Sequence, residues 1–197
     1  MKHSSTHLLM LLVIIALTTL AGCRKDDNPV DGGNAQPSVT TTIAGIVSNE
    51  SGSGIGNATV NAYGQTVTTN EHGLFLIRNV RVPAGRCFLV VKKDGYFTTS
   101  RAEMPKSGGV THMRLGLMRL EAKYTVQSAA GGTVTLDEGG RIQFPANGFA
   151  TADGQSYTGV VKVAARWLNP TSSTFFQFFP GDFAAQRSDG SQAFLYS

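Results

Sequence analysis

Few side chains in this 197-residue sequence could do chemistry, and their spacing argues against catalysis. Past residue 22 there are two histidines, His72 in an expected turn tip and His112 at an expected strand start, with no cysteine near either. Neither makes a metal-ligand spacing, so no metal site is expected. Serines are plentiful, but no Gly-x-Ser-x-Gly elbow occurs, and so little histidine leaves a serine triad without its base. Asp94, Asp153 and Asp189 each precede glycine, and Glu138 sits in Asp137-Glu138-Gly139-Gly140; carboxylates so placed serve turns before acid–base chemistry. Cys87 lies in the apolar run Cys87-Phe88-Leu89-Val90-Val91, where a free thiol behaves as a small hydrophobe. No catalytic residue, metal ligand or cofactor is assigned.

The aromatic residues point to binding. Phe175-Phe176-Gln177-Phe178-Phe179 places four phenylalanines in five residues, more than one face of a strand needs. Such a segment is either a strand buried on both faces or packed on a neighbouring module, or an exposed patch for a protein partner, because large apolar patches rarely stay uncovered. Trp167 and Tyr157 are the candidates for contact with a sugar, since their polar edges tolerate water. Trp167 also fits a core position, because Val161, Val163, Ala165 and Trp167 alternate along one face of an expected strand. An exposed row of Trp or Tyr would favour a glycan, an exposed phenylalanine cluster a protein.

One further thiol carries positional information. Lys2 precedes a ten-residue apolar segment, Leu8 to Leu17, and Leu20-Ala21-Gly22-Cys23 follows. Ten residues are too few for a membrane-spanning helix, which needs ~20, so the segment reads as a secretory leader. The box resembles that of bacterial lipoproteins, and the resemblance implies cleavage between Gly22 and Cys23, lipidation of Cys23 with palmitate-type acyl chains, and a membrane held as partner through that anchor. Residues 1–22 are then the signal peptide and 23–39 the lipidated cysteine with a polar tether, at most ~55 Å when extended. Arg24-Lys25-Asp26-Asp27 resembles the acidic export signal of Bacteroidetes surface lipoproteins, which implies the outer membrane, facing the exterior.

About 175 residues remain after the leader, enough for two small modules. Charged residues make up 15% of the chain and glycine numbers 23, the composition of turn-rich β structure. The net charge of +4 is too small for a nucleic-acid footprint. With Cys23 acylated, Cys87 has no disulfide partner, so the fold depends on packing.

From Thr40 to Leu120 short alternating runs recur every 8 to 12 residues between glycine turns, predicting strands at 41–47, 58–63, 65–69, 74–80, 86–92, 96–103 and 112–120. In the second, Ala58, Val60 and Ala62 share one face. The fifth, apolar on both faces, is expected at a sheet centre, covered on each side. Gly45-Ile46-Val47, Gly54-Ile55-Gly56-Asn57-Ala58-Thr59-Val60, Thr68-Thr69-Asn70-Glu71-His72-Gly73-Leu74-Phe75 and Val90-Val91-Lys92-Lys93-Asp94-Gly95-Tyr96 resemble, in order and spacing, the carboxypeptidase regulatory-like domain. That resemblance implies an all-β fold, a seven-stranded transthyretin-like (prealbumin-like) β-sandwich over residues 40–120, and no peptidase chemistry, since the likeness is to an accessory sandwich. Gly54 and Gly56 are expected at positive φ, and Glu71-His72-Gly73 as a hairpin turn. Asn70 stands where the family commonly has aspartate, which serves the same turn and disfavours a cation.

Residues 40–120 carry nine basic and four acidic side chains, residues 121–197 five and six, and this shift marks a module boundary near Glu121. Residues 121–197 read as a second β module, with a hairpin through Asp137-Glu138-Gly139-Gly140. Gly131-Gly132-Thr133-Val134 with Ile142-Gln143-Phe144-Pro145 and Phe149 loosely resembles ZU5-type modules. Gln192-Ala193-Phe194-Leu195-Tyr196 starts a strand near the chain end: either it pairs back into the second module, or the sequence is the front of a longer protein, which is favoured and would leave the module incomplete. The expected function is a non-enzymatic, lipid-anchored surface protein whose modules act as spacer and interaction platform. Its alternatives are a carbohydrate-binding component of glycan uptake or degradation, or an accessory region of a longer enzyme.

Overall fold

The computed structural model describes residues 37–182, 184–188 and 192–194. The cleavage box with Gly22 and Cys23, the leader and most of the tether lie outside the described residues.

Seven strands build the first layer pair: β1 (Ser38–Ser48), β2 (Thr59–Ala62), β3 (Gln65–Thr68), β4 (Leu74–Pro83), β5 (Cys87–Lys92), β6 (Thr99–Glu103) and β7 (Val110–Gly116). They form a three-stranded sheet, β4-β1-β7, and a four-stranded sheet, β3-β2-β5-β6. The seven-stranded sandwich expected from the sequence is therefore present. β1 runs antiparallel to β4 and parallel to β7, with an irregularity at Thr42 between the paired residues Thr41 and Ile43. Alternation puts one face of every strand inside: Ile43, Val47, Val60, Phe75, Ile77, Leu89, Val91, Met113 and Leu115 meet in one cluster. Burying each such side chain contributes roughly 1.5–3 kcal/mol. The hydroxyls of Thr41 and Thr111 are also inside and bond each other at 2.7 Å, which removes the cost of burying either alone.

Two expectations for the sandwich need correction. β5 is internal, but only Cys87, Leu89 and Val91 are fully buried; Phe88 and Val90 are half-buried, because a sheet in a two-layer sandwich has one covered face. Gly54 and Gly56 do not take positive φ; Gly52 and Asn57 do. Gly54 is glycine because a side chain there would strike the His72 carbonyl of the facing turn. Gly73 takes the expected left-handed conformation, φ 76°.

Past Leu120 come β8 (Tyr124–Gln127), β9 (Gly132–Thr135), β10 (Arg141–Phe144) and β11 (Val160–Val163), paired as β8 with β11 and β9 with β10. Val126, Val134 and Leu136 form a second, smaller cluster, flanked by Ile142, Phe144, Phe149, Val163 and Ala165. The strand expected to run on to Trp167 stops at Val163. Near the chain end β13 (Gln192–Phe194) pairs antiparallel with β12 (Ala184–Gln186), so the strand read there has a partner upstream.

The phenylalanine segment is not a strand. Phe175–Phe178 forms one helical turn, α1. Asn169 Oδ1 accepts hydrogen bonds from the Thr171 amide and hydroxyl, and the Phe175 amide donates to Ser172 O, so linked turns lead into α1 before Pro180 ends it. Phe175, Phe178 and Phe179 have the i, i+3, i+4 spacing of one helical face and are half-buried, whereas Phe176 points away and is 55% exposed.

Candidate functional site

Three surfaces combine exposed or half-exposed apolar groups with polar ones. The first is the seam where α1 and the chain after it lie on the sandwich. The Phe178 ring covers Gly116 at the end of β7, where any side chain would collide with it. The Gly181 amide donates to Ser100 O at 2.8 Å, a single parallel bridge on the edge of β6. Arg101 pairs with Glu103 and donates to the Phe176 carbonyl. Gln177 Nε2 donates to Ser48 Oγ at 2.9 Å, and Arg86 pairs with Asp182 at 2.6 Å while lying over the Phe88 ring. These bonds leave an apolar pocket of about 160 Å³, walled by Phe97, Met118, Leu168, Phe178 and Pro180 with Arg166 at its side. Arg166 pairs with Glu50 at 2.8 Å, a further bond between the two hydrophobic clusters' elements.

The second is the outer face of β4-β1-β7. Register places Leu74, Ile46 and Arg114 in one row and Leu76, Ala44 and His112 in the next. Leu74 is 49% and Leu76 41% exposed, and Leu74, Ile46, Ala44, His112 and Arg114 border a shallow apolar depression.

The third surrounds Trp167. Its indole is 42% exposed and lies on the turn between β9 and β10, beside Lys123, Tyr124, Asp137, Glu138 and Arg166. The expectation that Trp167 belongs to the core is therefore corrected: with β11 ending at Val163, alternation no longer aims residue 167 inward. Asp137 accepts from Lys123 at 2.5 Å and from the Tyr124 hydroxyl at 3.3 Å. The Lys123 hydrogen bond and charge hold the Asp137 carboxyl below its usual range, and Asp137 in turn raises Lys123. Tyr157 is elsewhere, its ring folded over Gly159 and its hydroxyl donating to Val160 O at 3.2 Å. Tyr157 and Trp167 thus do not form a row. Among the described residues no group of three or more His, Cys, Asp or Glu could hold a metal ion. Burial pushes the Cys87 thiol up to about 11, with the Glu103 charge adding to it, so the thiolate nucleophile is suppressed.

Residues 42–164, more than half of the chain, match the family model of the carboxypeptidase regulatory-like domain. The chain belongs to this family. The carboxypeptidase regulatory-like match runs beyond the seven-stranded sandwich, through β8 to β11 and the second hydrophobic cluster. By that description the domain is of a regulatory type. No curated protein matches the sequence. Among solved structures, 3-chlorocatechol 1,2-dioxygenase from Rhodococcus opacus 1CP is 13% identical, over 44% of this chain and 62% of its own, at TM-score 0.34. A membrane-associated protein of unknown function from Bacteroides fragilis NCTC 9343 is 24% identical, over 46% and 31%, at TM-score 0.34. A type II cohesin–X-dockerin complex from Acetivibrio cellulolyticus is 18% identical, over 41% and 58%, at TM-score 0.33. This chain spans less than two thirds of each of the three.

Sequence reasoning found the phenylalanines, Trp167 and Tyr157 but missed the partners that define their surroundings. Gly116, Arg101 and Gly181 carry no local signal, because each matters through a residue more than sixty positions away.

Proposed function

We propose that this protein is a non-enzymatic, lipid-anchored protein of the outer membrane surface whose β modules act as spacer and interaction platform. The outer face of β4-β1-β7 carries the reading. It places Leu74, Ile46 and Arg114 around an open depression, register sets the exposed Leu76 in the next row, and alternation along β4 puts Arg78 on the same face as Leu74 and Leu76. An apolar centre with a basic rim fits a protein partner that brings an apolar patch edged with carboxylates. The hydrogen bonds and ion pairs along the α1 seam support the spacer role, since they tie residues 166–182 to the sandwich. Leu20-Ala21-Gly22-Cys23 supports the anchor.

The test uses the full-length protein in its native envelope, with a photo-crosslinking amino acid at Leu76. The expected result is one discrete cross-linked protein, lost when Leu74 and Leu76 both become Ser. Acyl label should enter the protein and be abolished by Cys23→Ala. Absence of any cross-link from a folded, surface-accessible protein would overturn the platform, and absence of label the anchor.

A further inference from the structure

The geometry points to a second site, at Trp167, that binds one neutral hexopyranose unit of a glycan. A methyl group built at Gly139 would lie 3.7, 3.8 and 3.9 Å from Nε1, Cε2 and Cδ1 of Trp167. Near-equal distances to three adjacent ring atoms mean approach over the plane of the indole; an approach to its edge would bring Nε1 much closer than the other two. At Gly140 the same construction reaches Cε3 at 3.0 Å and Cζ3 at 3.3 Å, an oblique contact on the rim of the six-membered ring, so Gly139 lies under the five-membered ring and Gly140 borders its neighbour. Gly139 and Gly140 have φ of 124° and 81°, a turn that keeps side chains out from under the indole. One face of Trp167 is thus backed by bare main chain, while 42% of the residue remains exposed.

That arrangement suits a pyranose. One face of such a ring presents a row of C–H groups, weakly positive and apolar, which match the negative face of an aromatic π system. The hydroxyls around the ring edge then need donors and acceptors close by. Lys123 and Arg166 supply donors, and Asp137 and Glu138 supply acceptors, all bordering the same cleft as Trp167. Asp137 is already fixed by Lys123 and Tyr124, and Arg166 by Glu50, so the polar groups are ordered before a ligand arrives and less entropy is lost on binding. Both signs of charge are present and compensate each other, which favours a neutral sugar over a uronate or an amino sugar. The cleft is about 50 Å³, room for the edge of a single ring, so the site grips one unit and leaves its neighbours in solvent.

The Trp167 site is separate from the lipid anchor and from the face of β4-β1-β7. Because the chain has one tryptophan, its fluorescence reports this site alone. The full-length protein is titrated with methyl glycosides of glucose, galactose and mannose and their short oligomers, with glycerol as control. A saturable emission change for at least one neutral sugar, absent with glycerol, is expected. In ligand-observed NMR the same sugar should show weakening of about tenfold or more with Trp167→Ala, partial retention with Trp167→Phe, and weakening with Gly140→Val, whose side chain pushes on the rim of the indole and displaces it. The melting curve of Trp167→Ala should match the parent, separating lost stacking from lost fold. If no neutral sugar gives a saturable change in the folded protein, or if Trp167→Ala binds as well as the parent, the site is not a saccharide site. The crosslinking result at Leu76 is unaffected by either outcome.

Discussion

The ring of Phe178 fills the space in which a side chain on Gly116 would stand. Through this one contact the end of β7 in the sandwich receives α1, more than sixty residues later in the chain. Gly116→Ala should displace the ring and cost about 1–3 kcal/mol, as overpacking does. Phe178→Ala, at a half-buried position, should cost less than the ~3–5 kcal/mol of a fully buried phenylalanine. The two together should cost less than their sum, since the new methyl occupies part of the vacated space. Urea unfolding of the four proteins measures all three values.

Cys87 predicts an alkaline limit to stability. Its folded-state pKa, about 11, is raised by burial and by Glu103 above that of an unfolded thiol, ~8.5. The protonated thiol therefore contributes stability that is fully present below the unfolded value and lost as pH rises from there through the folded value. Free energies of unfolding should be level below that window and fall by up to ~1.4 kcal/mol per pH unit within it. Cys87→Ala should flatten this portion of the curve, and a thiol reagent at pH 8 should label Cys87 only in denaturant.

Asn70 supports the turn before β4 by geometry alone. Its Oδ1 accepts from the His72 amide at 3.0 Å and the Leu74 amide at 2.9 Å. Asn70→Asp keeps both acceptors and should change stability by no more than ~0.5 kcal/mol. Asn70→Ala strands the two amides and should cost ~0.5–2 kcal/mol. Thermal melts with and without added calcium read both effects, with no calcium shift expected for the parent.

Thr111 joins three segments inside the sandwich. Its hydroxyl meets that of Thr41 and accepts from the Lys106 amide at 3.0 Å. Thr111→Val keeps the shape, removes the acceptor and should cost ~1–3 kcal/mol. Amide exchange should rise first at Lys106 and Gly109, which share this loop.

How much of this was legible beforehand depended on range. Period-two alternation read β2 correctly, with Ala58, Val60 and Ala62 all buried, because which face of a strand is apolar is a local property. The Glu71-His72-Gly73 turn was legible for the same reason, since the left-handed conformation at its end favours glycine over residues that carry a Cβ. The helical turn at Phe175–Phe178 was not legible, because the segment's composition fits a buried strand or an exposed patch and outweighs its i, i+3, i+4 spacing and the Asn169-Pro170 turn before it.

Trp167 marks the dividing line. The sequence alone determined that an aromatic residue capable of facing water stands there, that strands of this period must bury one face, and that the family's turns recur in order. Only the tertiary structure decided that β11 ends at Val163, that the indole lies on Gly139 and Gly140, and that Phe178 closes over Gly116. Backbone conformation and strand faces follow from neighbours a few residues apart, whereas a side chain's surroundings come from whatever distant segments the packed core brings against it.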